Sequence, residues 1–154
     1  MSIDQKYFLK RLLLVIDGSQ ESDSATEYAL RLAAKLGSEL HVAYVVDTAT
    51  MDYLQQMRIF VSEERAELEE SIRAKGHSYL KRAELLAKSA GIAVTTEILH
   101  GRFSKVVVAY VRDTQIDGVI VGGKRGTYRD KDISTVEREL LLELSPVPVT
   151  LVKE

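Results

Sequence analysis

The sequence predicts an α/β protein, a three-layer αβα sandwich around a five-stranded parallel β-sheet. Two observations predict it. Short apolar runs of strand length alternate along the chain with longer stretches that show a helical period. All but the last of these runs end at or beside an aspartate or a glycine, as buried strands do where they leave a sheet through a tight turn. Because crossovers between parallel strands are right-handed, the helices of such a chain cover both faces of the sheet.

The first strand-helix unit begins at residues 12–16, a continuous apolar run that predicts a strand buried on both faces. The helix after it carries apolar residues at steps of three and four, and Ser22 or Ser24 can cap its first turn. Gly37 supplies the end of this helix. Residues 40–46 form the next apolar run and predict the second strand, which ends at Asp47.

The middle of the chain has the least regular pattern. Residues 50–60 predict a loop or a loosely attached turn of helix. A long charged helix follows over residues 61–90, and Gly76 can bend it or divide it in two. Its apolar stripe is expected at Leu68, Ile72, Tyr79, Ala83, Leu86 and Ala90. Residues 92–99 then alternate as a third strand.

The rest of the chain repeats the strand and helix pattern. A valine-rich helix opens at Phe103 or Ser104, and the wholly apolar residues 118–121 predict the fourth strand. A helix over residues 134–144 leads into the last strand, Val149–Val152. This last strand is an apolar edge strand, which has to be paired or protected against aggregation, so a homodimer is expected.

Composition excludes several classes of protein. The 154 residues suit one domain spanning residues 1–154. A net charge of -2 gives no global positive field for nucleic acid. The absence of cysteine excludes disulfides and thiolate chemistry, and the scattered histidines predict no metal site. The apolar run at residues 12–16 is too short for a membrane span, so we expect a cytoplasmic protein without a membrane partner.

A glycine-rich segment after the fourth strand is the first candidate site. Gly122, Gly123 and Gly126 allow a close approach of backbone N–H groups to an anion, and Lys124 and Arg125 add positive charge. The segment is neither a Walker A loop nor a dinucleotide fingerprint. A tight exit from a strand needs the same glycines, so both interpretations stay open.

Asp17 is the second candidate, at the end of the first strand. Its carboxylate can accept hydrogen bonds from a base or a ribose, or it can hold the turn at Gly18 and Ser19 as an Asx-type cap. The carboxyl ends of parallel strands share one rim of the sheet, where ligands of such folds bind. Asp17, Val45 and the glycine segment are therefore expected around one crevice.

Several segments together resemble the universal stress protein family. They are Val-Ile-Asp-Gly-Ser at residues 15–19, Val-Val-Asp at 45–47, Asp-Gly-Val-Ile-Val-Gly-Gly-Lys-Arg-Gly at 117–126 and Ser-Pro-Val-Pro-Val at 145–149. The resemblance covers almost the whole chain. It implies a Rossmann-like, adenine nucleotide alpha hydrolase-like fold with strand order 3-2-1-4-5, and homodimers paired through Val149–Val152. It also implies ATP or a related adenine nucleotide as ligand, with or without magnesium.

The phosphate motif of the ATP-binding members, G-x2-G-x9-G-[S/T], is only half matched. Gly123 and Gly126 fit its first half. Nine residues later come Val136 and Glu137, and a register set from the closing Pro-Val-Pro gives Thr135 and Val136, so neither register has the glycine. A β-branched residue or Glu137 at that point would crowd or repel a triphosphate.

Other features of the family's binding site are kept. Asp17 and Val45 match the positions that contact the adenine and the ribose in the family. Ser134 and Thr135 can offer hydroxyl and N–H groups at a helix N-terminus, which favours anions. The resemblance thus implies a nucleotide site made of Asp17, Val45, Gly122, Gly123, Arg125, Gly126, Ser134, Thr135 and Val136.

Three functions are consistent with the sequence. The first is an ATP-responsive regulatory module of the stress response. The second is a nucleotide-free homodimer that interacts with another protein. The third is an enzyme that hydrolyses ATP slowly, although no residue stands out as a catalytic base.

Overall fold

The computed structural model describes residues 9–59, 61–123 and 133–153. A five-stranded sheet has the order β3-β2-β1-β4-β5, and all of its strand pairs are parallel. The strands are β1 (Arg11–Ile16), β2 (Glu39–Asp47), β3 (Val94–Gly101), β4 (Gly118–Gly122) and β5 (Val149–Val152). The helices are α1 (Gln20–Leu36), α2 (Thr48–Gln56), α3 (Ser62–Ser89), α4 (Phe103–Asp113) and α5 (Ile133–Leu144). The predicted fold class and strand order are confirmed.

The sheet separates two hydrophobic cores, which makes the three layers. Leu12, Leu14 and Ile16 of β1 pack with α1 and α3 on one face. Leu13 and Val15 alternate with them and pack with α4 and α5 on the other face. Because β1 is central, both of its faces are covered, and this explains why its sequence is a continuous apolar run. None of the described helices combines the length and the hydropathy needed to cross a lipid bilayer.

Of the two alternatives predicted after β2, a loop or a loosely attached turn of helix, the structure has a helix, α2, and it is packed against the core. Asp47 ends β2 and also caps α2, because its Oδ1 accepts a hydrogen bond from the Ala49 N–H at 2.9 Å. Met51 of this helix is only 1% exposed and belongs to the core beside α1 and α3. The end of the predicted loop, residue 60, lies outside the described residues.

The long helix α3 continues through Gly76 without a break. A Cβ at this position would lie 2.4 Å from Cδ1 of Tyr44, so the glycine lets the helix approach the tyrosine ring of β2. The buried face of α3 also differs from the predicted stripe. It consists of Gly76, Leu80, Ala83 and Ala87, whereas Leu68, Leu86 and Ala90 are exposed.

Candidate functional site

One cavity lies where the carboxyl ends of β1, β2 and β4 meet. Its volume is about 120 Å³, and it is lined by Val15, Ile16, Asp17, Val45, Asp47, Phe103, Val121, Gly122 and Arg138. Valine, isoleucine and phenylalanine side chains supply an apolar floor, and three charged side chains stand on its walls. Pockets for whole small molecules usually enclose ~300 to 1,000 Å³. The cavity is therefore narrow for a whole nucleotide, and a flat apolar group suits its floor better than a charged one.

The turn after β1 places Asp17 at the cavity. Asp17 Oδ1 accepts hydrogen bonds from the N–H of Ser19 at 2.9 Å and from its hydroxyl at 2.5 Å. Between them, Gly18 has a φ of +82°, which residues other than glycine rarely adopt. A Cβ at this position would also clash with the ring of Tyr79. Of the two roles left open for Asp17, the structure shows the Asx-type cap.

The same turn starts α1, but not at the predicted serine. Ser19 is the N-cap, and its Oγ accepts a hydrogen bond from the Ser22 N–H at 3.1 Å. Ser22 is buried, and its hydroxyl oxygen accepts a hydrogen bond from the Asp17 N–H at 3.1 Å. Gly37 closes the helix in the left-handed conformation, as predicted. Asp17 is thus held through both its backbone and its side chain.

Arg138 of α5 reaches Asp17 across the cavity. Its Nη2 lies 2.6 Å from Asp17 Oδ2, and the two side chains are 17% and 44% exposed. The other terminal nitrogen of the guanidinium, Nη1, is shielded from water and has no hydrogen-bond partner among the described residues. Two residues 121 positions apart in the chain therefore form an ion pair on the cavity wall, and Nη1 of Arg138 remains without an acceptor among the described residues.

Asp47 is the second carboxylate of the cavity. Burial raises the pKa of Asp47, and the negative charge of Glu137 adds to this effect, whereas hydrogen bonds from the backbone of Ala49 and Phe103 oppose it. A further negative charge placed beside Asp47 would be unfavourable, because it would add to the repulsion from Glu137.

Glu137 has a structural role next to the cavity. It is only 2% exposed, and its Oε2 accepts hydrogen bonds from the N–H of Ser104 at 3.0 Å and from its hydroxyl at 2.6 Å. Its Oε1 accepts from Arg102 Nε at 2.6 Å. Burial by itself would raise the pKa of Glu137, but the hydrogen bonds from Ser104 and Arg102 outweigh it and hold the pKa below its usual range. The carboxylate thus binds the N-terminus of α4 and is not among the side chains that line the cavity.

The two glycines at the end of β4 serve different purposes. A Cβ on Gly122 would lie 2.6 Å from the carbonyl carbon of Glu21, so the glycine lets the first turn of α1 touch the strand. The N–H of Gly123 donates to the carbonyl of Val152 at 2.8 Å, so β5 already occupies that donor. Neither glycine has a positive φ. Arg125 and Gly126 lie outside the described residues.

The remaining predicted site residues lie at the start of α5. Ser134 and Thr135 are in its first turn, and Val136 is 39% exposed. Neither Thr135 nor Val136 is among the described residues that line the cavity, and the side chain of Ser134 lies outside the described part of the structure. Sequence reasoning missed Phe103 and Arg138. For Arg138 no local signal existed, because its partner Asp17 lies 121 positions away in the chain.

Metal ions are held in proteins by groupings of side chains such as histidine, aspartate and glutamate. Across residues 9–59, 61–123 and 133–153, no three histidine, aspartate or glutamate side chains are arranged to hold a metal ion.

Comparison with protein families decides what kind of chain this is. The model of the universal stress protein family matches residues 9–153. The chain belongs to the universal stress protein family. Among curated relatives, Universal stress protein MJ0531 of Methanocaldococcus jannaschii is 28% identical over 148 residues, which cover 94% of this chain and 82% of that protein.

Solved structures share the fold of this universal stress protein. The hypothetical protein MJ0577 superposes with a TM-score of 0.75 at 18% identity, covering 96% of this chain and 97% of its own. The universal stress protein of Archaeoglobus fulgidus in complex with dAMP has a TM-score of 0.62 at 13% identity, covering 95% of this chain and 99% of its own. At these identities the likeness concerns the fold alone.

Proposed function

We propose that this universal stress protein binds an adenine nucleotide, ATP or a relative of it, and acts in the cytoplasm as a regulatory module rather than as a metabolic enzyme. One observation carries the proposal: Asp17, Val45 and Gly122 line a single cavity at the carboxyl ends of three parallel strands. The strand order reverses between β1 and β4, and this is the crevice where sheets of this type bind ligands.

The chemistry of the cavity suits a nucleoside. Its apolar floor, with Val45, Val121 and Phe103, offers a surface for a flat base. Asp17 Oδ1 is committed to the turn, whereas Oδ2 faces Arg138 and can accept a hydrogen bond from a ribose hydroxyl. A family member of the same fold has been crystallised with an adenine nucleotide, dAMP, which supports the same ligand class here.

The experiment is a thermal unfolding series with ATP, ADP and AMP, each with and without magnesium. A ligand at 100 times its dissociation constant stabilises the folded state by ~2.7 kcal/mol. For a chain of this size that raises the melting temperature by about 5 to 10 °C. No shift with any adenine nucleotide at millimolar concentration would contradict the proposal.

A pair of matched variants locates the site. Val45→Phe places a larger side chain into the cavity and is expected to abolish the ligand-induced shift. Val94→Phe is the same change in β3 at the opposite end of the sheet, and it is expected to leave the shift intact. Each shift is taken relative to the melting temperature of the same variant without ligand. Equal shifts in both variants would place the ligand elsewhere.

We further propose that two copies pair through β5 as a homodimer. β5 forms the end of the sheet, next to β4, and Leu151 on it is 40% exposed. Leu142 and Leu144 of α5 are also exposed, at 44% and 51%. Sedimentation should show a dimer at micromolar concentration for the natural chain and a monomer for Leu151→Glu. The same change at the exposed Leu86 of α3 should not affect assembly.

A second candidate function is a nucleotide-free dimer that binds another protein. The small cavity volume and the Asp17–Arg138 ion pair favour it, because both oppose the entry of a whole nucleotide. This candidate requires that the purified protein shows no excess absorbance at 260 nm and no thermal shift with any nucleotide.

A further inference from the structure

We propose that Arg138 is the phosphate anchor of the cleft and that the site therefore selects an adenine nucleotide with a single phosphate over a triphosphate. This inference rests on the proposed nucleotide binding and names the ligand class within it. The juxtaposition behind it is a half-paired guanidinium that lines the same cavity as two carboxylates, Asp17 and Asp47.

The guanidinium of Arg138 has a donor nitrogen without an acceptor among the described residues. Nη2 of Arg138 is paired with Asp17 Oδ2, whereas the shielded Nη1 has no partner among the described residues. A buried N–H without an acceptor is unfavourable, and an anionic oxygen in the cavity would satisfy it. The planar fork of a guanidinium binds two oxygens of one phosphate in a bidentate manner. Arg138 can thus receive one phosphate group by exchanging Asp17 for it.

The surrounding charges limit how many phosphates fit. Beside Asp17, the described neighbourhood holds two further carboxylates, Asp47 and Glu137, which interact with each other. The only other cation recorded in contact with this group of described residues is Arg102, and its Nε is already bound to Glu137 at 2.6 Å. A first phosphate is attracted by the guanidinium of Arg138, whereas a second and a third would lie near carboxylates without a further free cation among the described residues.

One backbone donor at the end of β4 is already in use. The N–H of Gly123 donates to Val152, and Gly122 is in close contact with the first turn of α1. A longer phosphate chain therefore gains no hydrogen bond from the N–H of Gly123 while β5 stays paired with β4. Among the described residues that line the cavity, Arg138 carries the one positive charge, and the proposed selectivity for one phosphate rests on it.

Exchange at Arg138 also gives Asp17 a new partner. Oδ1 of Asp17 stays with Ser19, so the turn after β1 is unchanged. Oδ2 is released by the guanidinium and becomes the acceptor for a ribose hydroxyl. The ligand thus replaces an ion pair inside the protein with two contacts of its own, one at the phosphate and one at the sugar.

The test is calorimetric titration of the full chain with adenosine, AMP and ATP at one fixed ionic strength. The natural protein is expected to bind AMP at least about 10-fold more tightly than adenosine, as one charge-assisted hydrogen bond provides. ATP is expected to bind no more tightly than AMP, with or without magnesium. Tighter binding of ATP than of AMP would overturn the inference.

Variants assign the effect to the guanidinium. Arg138→Gln should remove the preference for AMP over adenosine, and Arg138→Lys should retain part of it, because the charge remains but the fork is lost. Arg31→Gln is the matched control, since Arg31 forms a similar ion pair, at 2.7 Å, with Glu27 on the solvent face of α1. It should keep the full preference. Thermal unfolding of each variant confirms that it is folded at the titration temperature.

The outcomes separate this inference from the proposal it rests on. If adenosine and AMP bind but Arg138→Gln keeps the preference for AMP, nucleotide binding is supported and the role of Arg138 as phosphate anchor is wrong. If neither adenosine nor any nucleotide binds to the natural protein, both the proposed nucleotide binding and the role of Arg138 are wrong.

Discussion

Replacing Glu137 with alanine should lower the free energy of unfolding by about 2 to 4 kcal/mol. This carboxylate is 2% exposed and accepts three hydrogen bonds, two from Ser104 and one from Arg102. It joins α5 to the N-terminus of α4. The substitution removes the acceptor for the Ser104 N–H and leaves a cavity at the contact between the two helices.

The size of the effect follows from the exposure of each partner. Breaking a buried ion pair by removing one member costs ~3 to 5 kcal/mol when the other charge stays buried. Arg102 is 49% exposed and regains water, which lowers the expected loss. Ser104 is only 1% exposed, so its N–H and hydroxyl lose an ionised acceptor, each such bond being worth ~1.5 to 3 kcal/mol. The hydration that Arg102 regains brings the total below that of a fully buried pair, and the loss at Ser104 keeps it above about 2 kcal/mol.

Urea and thermal unfolding measure this loss, and the melting temperature should fall by about 5 to 15 °C. The control is Glu143→Ala, at an exposed position of the same helix, which should stay within about 0.5 kcal/mol of the natural chain. A loss below about 1 kcal/mol for Glu137→Ala would refute the reasoning. It would mean that the contact between α4 and α5 is held by apolar packing alone.

Acid should reduce the difference between the natural chain and Glu137→Ala. The pKa of Glu137 in the folded protein is held below its usual range, so the carboxylate stabilises the fold in its ionised form. A group of this kind contributes fully above its unfolded pKa of ~4.3, and the contribution is lost as the pH falls through the folded pKa. Unfolding measured from pH 7 downwards should therefore show the two stabilities converging below about pH 4.

Further substitutions test the walls of the cavity. Asp47→Asn should change stability by less than about 1 kcal/mol at pH 7 or raise it, because asparagine caps α2 equally well and removes a charge that burial disfavours. An equilibrium unfolding curve with a clear loss would contradict this. Gly122→Ala should cost about 1 to 3 kcal/mol, since its Cβ would meet the backbone of Glu21 at 2.6 Å. Gly123→Ala should leave stability nearly unchanged, since the nearest atom to its Cβ would be 3.6 Å away. Equal losses of stability in Gly122→Ala and Gly123→Ala would contradict the packing argument.

Features encoded by local pattern could be predicted from the sequence. Residues 12–16 read as a strand buried on both faces because every side chain of the central strand meets one of the two cores. The position of Asp17 beside Val45 and Gly122 followed from one rule, that parallel strands share a rim for their carboxyl ends.

Features decided by contacts between distant segments could not be predicted. Gly76 reads locally as a helix breaker, but the ring of Tyr44 in β2 determines what is needed there. Asp47 was interpreted as the end of a strand, although the same side chain also begins α2. Arg138 is one of 21 basic residues, and nothing in the chain near it indicates that its partner is Asp17.

Glu137 and Arg138 together determine how the cleft can respond to a ligand. Consecutive side chains on an α-helix diverge by about 100°, so Glu137 binds α4 while Arg138 binds the turn after β1. The Glu137 contact is buried and holds α5 in place, whereas the Asp17 partner of Arg138 is 44% exposed and can be exchanged. A ligand that takes over the guanidinium therefore needs only a side-chain exchange, and α5 keeps its position because Glu137 remains bound. We expect ligand binding to change the surroundings of Asp17 and Arg138 while leaving the contact between α4 and α5 unaltered.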